Sequence, residues 1–135
     1  MPENKSLVIN TGPLLALIAG YGDLSLLEKL YQHVLLPFEV CQEIEAGGGQ
    51  AFGEASVIQL ALNEDIQTVC IDEAVGRRVA RLNGLSLTGS VGVLIRAKKA
   101  GFAFSMREAI HRMHSKGIYL SQAVANFALQ QSHEI

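Results

Sequence analysis

Short apolar runs alternate with longer amphipathic stretches along the chain, a pattern that predicts β-strands connected by α-helices. The predicted strands cover residues 7–9, 34–36, 66–71 and 85–87. The predicted helices cover residues 13–20, 25–32, 37–47, 54–62, 72–83, 91–100, 105–115 and 120–131. Because this alternation is typical of a parallel sheet with helices on both faces, we expect a three-layer α/β/α fold. The central sheet should contain four to five strands, in a single domain spanning residues 1–135.

Local capping signals place several of the predicted helix starts. Ser25 with Glu28, and Ser105 with Glu108, have the spacing of a capping box, in which each residue bonds a backbone N–H near the other. Asp72 follows the third strand and is a candidate N-cap for the next helix.

Two apolar stripes have helical spacing. On the predicted helix 72–83, the apolar positions Val75, Val79 and Leu82 are expected to form the buried face. On the last helix, the corresponding stripe of Leu120, Val124 and Phe127 is typical of a core, although it would also serve a dimer.

Composition indicates a compact globular protein. The chain has 135 residues, of which 49% are hydrophobic and 18% charged, and it has no apolar run of about 18 residues that would span a membrane. The polar N-terminus is not followed by a signal-peptide cleavage pattern. Cys41 and Cys70 lie in apolar surroundings and are expected to be buried, reduced thiols, which favours a cytoplasmic protein.

The charges are distributed unevenly. Residues 1–73 contain two Lys and eleven Asp or Glu, whereas residues 74–135 contain nine Lys or Arg and two Glu. An acidic half and a basic half would suit a metal site beside a phosphate-binding surface. Alternatively, the two halves mix on folding and their fields cancel.

Polar side chains follow three of the predicted strands: Asn10, Asp72 and the Thr88-Gly89-Ser90 turn. The carboxyl ends of parallel strands meet at one edge, where α/β proteins bind ligands. Glu43 and Glu54 would add oxygen ligands for a cation such as Mg²⁺ if their helices pack beside that edge.

Structural roles would also explain each of these residues. Glu43 would belong to a solvated helix face, and Glu54 would complement a helix dipole. Asp72 would be an N-cap, and Asn10 would bond backbone groups in its turn.

Five stretches of the chain resemble, in order, a prokaryotic branch of the PIN-domain proteins. The stretches are Val8-Ile9-Asn10-Thr11-Gly12-Pro13-Leu14-Leu15-Ala16-Leu17, Leu36-Pro37-Phe38-Glu39-Val40-Cys41-Gln42-Glu43-Ile44, Gly53-Glu54-Ala55-Ser56, Ile71-Asp72-Glu73 with Gly76-Arg77-Arg78-Val79-Ala80, and Thr88-Gly89-Ser90-Val91-Gly92-Val93-Leu94 with Ala97-Lys98-Lys99-Ala100-Gly101. The resemblance extends over residues 7–130. It implies a metal-dependent nuclease fold that acts on RNA, in some members as a toxin restrained by a small antitoxin.

The resemblance carries the family's acidic quartet onto Asn10, Glu43, Glu54 and Asp72, which would hold Mg²⁺ or Mn²⁺ and activate a water against a phosphodiester. Asn10 supplies a neutral oxygen where the nucleases of this family have Asp, and Gly12 stands where this branch usually has Ser. Since charge tunes the affinity for divalent cations, the alternative is a catalytically weakened RNA- or protein-binding module.

Basic side chains on two predicted helices are candidate RNA contacts. They are Arg77, Arg78, Arg81 and Arg96, since arginine binds phosphate bidentately. Lys98 and Lys99 are more typical of a solvated helix face, and His111 with His114 of a surface pair. Aromatic residues suited to base stacking are scarce and Trp is absent from the sequence, so sequence-specific reading of RNA is not expected. Besides RNA, a small antitoxin and a second copy of the chain are candidate partners.

Overall fold

The computed structural model describes residues 5–37 and 52–135, apart from the side chains of residues 52–55. The strands are β1 (Ser6–Ile9), β2 (His33–Leu35), β3 (Thr68–Cys70) and β4 (Ser86–Thr88). The helices are α1 (Thr11–Tyr21), α2 (Ser25–Leu30), α3 (Phe52–Asn63), α4 (Ala74–Leu82), α5 (Ser90–Lys99), α6 (Met106–Ser115) and α7 (Gln122–Gln131). Most of the helix predicted at 37–47, including Cys41, lies outside the described residues.

The four described strands form one sheet in the order β2–β1–β3–β4, and every pair is parallel. Ile9 of β1 lies opposite Cys70 of β3, and Cys70 lies opposite Thr88 of β4. This register brings the carboxyl ends of β1, β3 and β4 side by side. The prediction of a parallel sheet of four to five strands is confirmed.

The alternation of side chains along the strands divides the core between the two faces of the sheet. Leu7 and Ile9 pack with helices α1, α2, α5, α6 and α7. Val8, with Val69 and Ile71, packs with α3 and α4 on the other face. Helices on both faces give the predicted three layers. No helix in the described part of the chain is long and apolar enough to span a membrane.

The apolar stripe of α4 is exposed, so the prediction that it is buried is wrong. Val75 is 73% exposed and Leu82 is 79% exposed. The helix packs instead through Gly76 and Ala80, and these small residues let it lie close to the sheet with the larger apolar side chains turned outward.

Helix α7 shows the same reversal in part. It buries Ala125, Ala128 and Leu129, whereas Val124 is 40% and Phe127 is 53% exposed. Small residues again make the closest contact, so the predicted stripe lies largely on the surface rather than in the core.

The capping predictions have mixed outcomes. Ser105 caps α6 by accepting a hydrogen bond from the N–H of Glu108, which confirms its half of the predicted capping box, whereas the Glu108 carboxylate accepts from Arg112. Ser25 is not a cap, because it lies inside α2 and donates both its N–H and its hydroxyl to the carboxylate of Asp23. Asp72 is not the N-cap of α4 either, since that position belongs to Glu73.

Candidate functional site

Asn10 and Asp72 follow neighbouring strands at the point where the direction of chain winding reverses. From β1 the chain continues to β2 on one side and later returns to β3 on the other. Helix α1, which follows β1, packs on one face of the sheet, and α4, which follows β3, packs on the opposite face. The divergence of these two helices opens a crevice at the carboxyl ends of the strands, which is where open α/β sheets bind ligands.

Asn10 extends the pairing of β1 with β3 by one residue at the carboxyl edge of the sheet. Its backbone N–H donates to the carbonyl of Cys70 at 3.1 Å, and its backbone is extended just before α1 begins. The residue is 4% exposed. An uncharged amide therefore occupies a buried position at the end of the central strand pair, where a carboxylate would face a desolvation cost unless a cation balanced it.

Asp72 is exposed and is held by Ser90, the residue at which α5 begins after the end of β4. The N–H of Ser90 donates to Oδ1 at 2.8 Å, and the Ser90 hydroxyl donates to Oδ2 at 2.8 Å. Asp72 therefore caps α5 rather than the helix that follows it. Both carboxylate oxygens have a defined position, and their charge lies at the N-terminus of α5, where it is favourable.

Glycine at position 89 is required by this arrangement. A Cβ at that position would lie 2.6 Å from Oδ1 of Asp72 and 3.1 Å from Nη1 of Arg77. The backbone of Gly89 is extended (φ −136°), a conformation that any residue adopts, so the requirement is one of space. The Thr88-Gly89-Ser90 turn is shaped to accept the carboxylate.

Arg77 connects the ends of β3 and β4 from beneath this turn. Its Nη1 donates to the carbonyl of Ile71 at 2.7 Å and to that of Thr88 at 3.4 Å. The sequence placed Arg77 among the candidate RNA contacts, whereas the structure gives it backbone partners at the candidate site.

The Cys70 thiol reports on the electrostatics of the same region. Burial raises its pKa well above the ordinary value, the negative charge of Asp72 raises it further, and Arg77 opposes these effects. Cys70 is 0% exposed, which confirms the prediction that it is buried, and it is a free cysteine in the described part of the chain.

The oxygen donors at this edge suit a hard divalent cation. They are the Asp72 carboxylate, the Asn10 amide and the hydroxyls of Thr88 and Ser90, and such oxygens are the ligands that Mg²⁺ and Mn²⁺ prefer. Within the described residues, no group of three His, Cys, Asp or Glu side chains comes together.

The other two predicted ligands fall outside the described side chains. Glu43 lies outside the described residues altogether. Glu54 belongs to the first turn of α3, but its side chain is not described. Helix α3 packs against β1 and β3 and leads into the amino end of β3, so its first turn faces the carboxyl edge of the sheet.

The predicted basic contacts are not equivalent. Arg78 and Arg81 are exposed on α4. The Arg96 guanidinium instead lies over the ring of Tyr31, 5.8 Å from its centroid. Tyr31 lies just before β2, so Arg96 lies toward the amino edge of the sheet, opposite Asp72.

The two neighbouring lysines of α5 also have partners within the chain. Lys98 forms an ion pair with Glu134 at 3.4 Å, and Lys99 donates to Gln131. The sequence predicted a solvated helix face here, but the side chains of both lysines contact residues of the C-terminal segment.

Sequence reasoning missed two parts of the site. It placed Ser90 in a turn at the sheet edge without assigning it Asp72 as a partner, a pairing between residues 18 positions apart. It also missed an open cleft of about 630 Å³ that begins at Asp72 and Arg77 and is lined on its far side by residues between 118 and 127. The two glycines that follow β4 were a signal in the sequence of close packing at this edge. A Cβ at Gly89 would collide with Asp72, and a Cβ at Gly92 would collide with Thr88.

Comparison with known proteins identifies one family. A family model described as a PIN domain matches the chain over residues 6–52 and 51–134. No curated protein and no solved structure was found to match the chain.

Proposed function

The chain belongs to the PIN domain family, and from this premise we propose that it is a metal-dependent ribonuclease with its site at the carboxyl ends of β1 and β3. The family's fold is nuclease-like, and its members generally use divalent metals and bind RNA. The observation that carries the proposal is the exposed Asp72 carboxylate, which Ser90 holds in one orientation at the crevice between neighbouring strands.

Asp72 would be the charged ligand of Mg²⁺ or Mn²⁺, and Asn10 would be a neutral oxygen ligand. Glu43 and Glu54 would complete the set, as the family resemblance implies. When bound, the metal would supply a Lewis acid and positive charge to offset that of the phosphoryl group. Ser90 would fix the direction of the Asp72 oxygens, and partners of this kind commonly contribute roughly 10- to 100-fold to metal affinity or activity.

Exposed arginines on α4 would hold the RNA backbone. Arg78 and Arg81 lie three positions apart and project from the same helix. Each phosphate contact of this kind adds to the salt dependence of binding. We assign Arg77 and Arg96 smaller roles in RNA binding, because both guanidinium groups already have partners within the chain.

The decisive experiment is cleavage of a panel of RNAs by the purified protein with Mg²⁺, with Mn²⁺ and with EDTA. Cleavage that needs the metal and is lost in Asp72→Asn supports the proposal. The chain supplies a matched control, Asp23→Asn, because Asp23 also accepts the N–H and hydroxyl of a serine but follows the C-terminal end of α1, away from the carboxyl edge. If the wild type and Asn10→Asp both leave every RNA intact, the proposal is wrong.

A second candidate function is favoured by the amide of Asn10, which removes one negative charge from the expected ligand set. In that case the same fold would bind RNA or a protein without catalysis. Isothermal calorimetry and thermal unfolding with Mn²⁺ distinguish the two functions. If wild type shows neither heat of binding nor a thermal shift with Mn²⁺, while Asn10→Asp binds the metal, the second function is favoured.

We extend the first proposal to a cytoplasmic toxin restrained by a small antitoxin, with a homodimer as a further assembly. Growth arrest on expression, relieved by a neighbouring gene for a short DNA-binding protein, is the expected result. Normal growth with an active ribonuclease would contradict the toxin role alone.

A further inference from the structure

The hydrogen-bond ladder between β3 and β4 stops at the point where the Asp72–Ser90 pair begins. In a parallel pair of strands, a residue donates its N–H to one residue of the neighbouring strand and accepts the N–H of the residue two positions further along it. The N–H of Ile71 donates to the carbonyl of Thr88 at 3.0 Å. The regular continuation of the ladder is therefore a hydrogen bond from the N–H of Ser90 to the carbonyl of Ile71.

Two other hydrogen bonds replace this expected one. The Ser90 N–H donates to Oδ1 of Asp72 at 2.8 Å, and the Ile71 carbonyl accepts Nη1 of Arg77 at 2.7 Å. Ile71 is 0% and Ser90 is 2% exposed, and a buried backbone group without a partner is costly. The Ser90 N–H is therefore available to Asp72 because a side chain satisfies the carbonyl that it would otherwise serve.

Arg77 is placed to supply that side chain. It lies at the end of the first turn of α4, and this helix packs close to the sheet through Gly76 and Ala80. Nη1 of Arg77 also donates to the carbonyl of Thr88 at 3.4 Å. Because each terminal nitrogen of a guanidinium carries two hydrogens, one nitrogen bonds the last carbonyls of both strands and closes the ladder.

The arginine acts on Asp72 through the backbone and not through a direct ion pair. In the described part of the chain, Arg77 forms no ion pair with Asp72, although a Cβ at Gly89 would lie 2.6 Å from Oδ1 of Asp72 and 3.1 Å from Nη1 of Arg77. The carboxylate and the guanidinium therefore lie on either side of Gly89, each bonded to a different backbone group.

We propose that Arg77 is a positioning residue for Asp72: it takes the Ile71 carbonyl, releases the Ser90 N–H from the sheet, and so lets Ser90 hold the carboxylate. The functional value of this arrangement rests on the proposed role of Asp72 as a metal ligand. The exchange of hydrogen bonds itself requires neither metal nor RNA, so it is tested without them.

The test is an NMR experiment on metal-free protein that detects scalar coupling across hydrogen bonds. In wild type, the Ser90 N–H should couple to the side-chain carboxyl carbon of Asp72. In Arg77→Met, the Ile71 carbonyl loses its partner, so coupling of the Ser90 N–H to the Ile71 carbonyl carbon should appear and coupling to Asp72 should be lost. Coupling of Ser90 to Asp72 that persists in Arg77→Met would overturn the inference.

A matched control and a conservative variant accompany this test. Arg112 also donates Nη1 to a backbone carbonyl, that of Gly20 at 2.9 Å, so Arg112→Met removes a similar hydrogen bond and should keep the wild-type couplings. Arg77→Lys retains one cationic donor and should recover part of the coupling between Ser90 and Asp72. The wild-type spectrum is decisive even if Arg77→Met does not fold, because coupling of Ser90 to Ile71 in wild type would overturn the inference.

Calorimetry with Mn²⁺ separates positioning from a simple effect of charge. Removal of a positive charge beside Asp72 would by itself strengthen the binding of a cation, whereas displacement of the carboxylate weakens it. We expect Arg77→Met to bind Mn²⁺ about tenfold more weakly than wild type, as is common when a residue that orients a metal ligand is lost. Tighter binding by the variant would overturn the positioning role.

The failure of this inference and the failure of the proposed function give different results. A wild type that binds no Mn²⁺ and cleaves no RNA removes the ribonuclease, while the couplings of Ser90 still decide whether Arg77 positions Asp72. A wild type that cleaves RNA, together with an Arg77→Met variant of unchanged couplings and unchanged cleavage rate, removes the role of Arg77 and leaves the ribonuclease.

Discussion

Two aspartates in this protein make the same pair of hydrogen bonds to a serine, in very different surroundings. Asp23 accepts the N–H and hydroxyl of Ser25, two positions away, in the turn between α1 and α2. Asp72 accepts the same two groups from Ser90, 18 positions away, and thereby connects the ends of two strands. The donor groups are the same, although Asp23 accepts both through Oδ1 whereas Asp72 uses Oδ1 for the N–H and Oδ2 for the hydroxyl. The type of partner therefore does not by itself distinguish a capping residue from a residue of a site.

The difference lies in the position of each pair relative to the sheet. Helix α1 starts at the carboxyl edge and carries the chain away from it, so Asp23 lies toward the amino edge. Asp72 lies at the crevice beside Asn10, with a cleft opening next to it. Topology, rather than the carboxylate itself, therefore makes Asp72 the candidate catalytic residue.

The largest expected effect is on RNA cleavage by Asp72→Asn. Asparagine keeps the shape and one oxygen acceptor but removes the charge that would hold the cation, so we expect the cleavage rate to fall at least about 100-fold, equivalent to roughly 2.7 kcal/mol. Asp23→Asn should leave the rate unchanged. The rates are measured in a gel-based cleavage assay. Equal rates for Asp72→Asn and Asp23→Asn would show that the position of Asp72 at the carboxyl edge has no functional role.

The next effect is on stability, and it has opposite signs at two glycines of the carboxyl edge. Gly89→Ala should lower the free energy of unfolding by about 2 kcal/mol, because its Cβ displaces Asp72 from Ser90. Gly12→Ala should raise it by about 0.5–1 kcal/mol, since a Cβ at this position of α1 would point into open space and alanine favours a helix. Urea unfolding of both variants measures the two changes. A stable Gly89→Ala variant with normal cleavage would mean that Asp72 does not need its present position.

A smaller effect is expected at the serines. Ser90 is 2% exposed, so Ser90→Ala removes a buried hydrogen bond and should cost about 1 kcal/mol, with a decrease in cleavage of about tenfold. Ser25→Ala, at an exposed turn, should change stability by less than about 0.5 kcal/mol and leave cleavage intact. Thermal unfolding and cleavage assays on both variants test whether the two pairs differ. Equal losses would place Ser90 in a purely structural role.

The sequence predicted the parallel sheet, its three layers and the strand ends that carry Asn10 and Asp72, because periodicity and strand–helix alternation are local signals. It did not predict the partner of Asp72 or the cleft, because both depend on residues far apart in the chain. The apolar stripes of α4 and α7 misled for a related reason. Periodicity identifies an apolar face, but small residues such as Gly76 and Ala80 in one helix, and Ala125 and Ala128 in the other, allow closer packing through a different face.

The smallest effect concerns the Asp23 carboxyl, whose pKa is lowered chiefly by the Ser25 hydroxyl and further by the Ser25 N–H, against a weak opposing effect of burial. A lowered pKa in the folded state means that the ionised form is favoured by folding. Its contribution to stability is therefore present above the ordinary value of 3.8 and is lost as the pH falls through the lowered folded value. An NMR titration of the Asp23 carboxyl carbon should show a midpoint below 3.8, and Ser25→Ala should move that midpoint upward. If the midpoint does not move, the Asp23–Ser25 hydrogen bonds do not persist in solution. Asp23 would then not be a valid control for the Asp72–Ser90 hydrogen bonds.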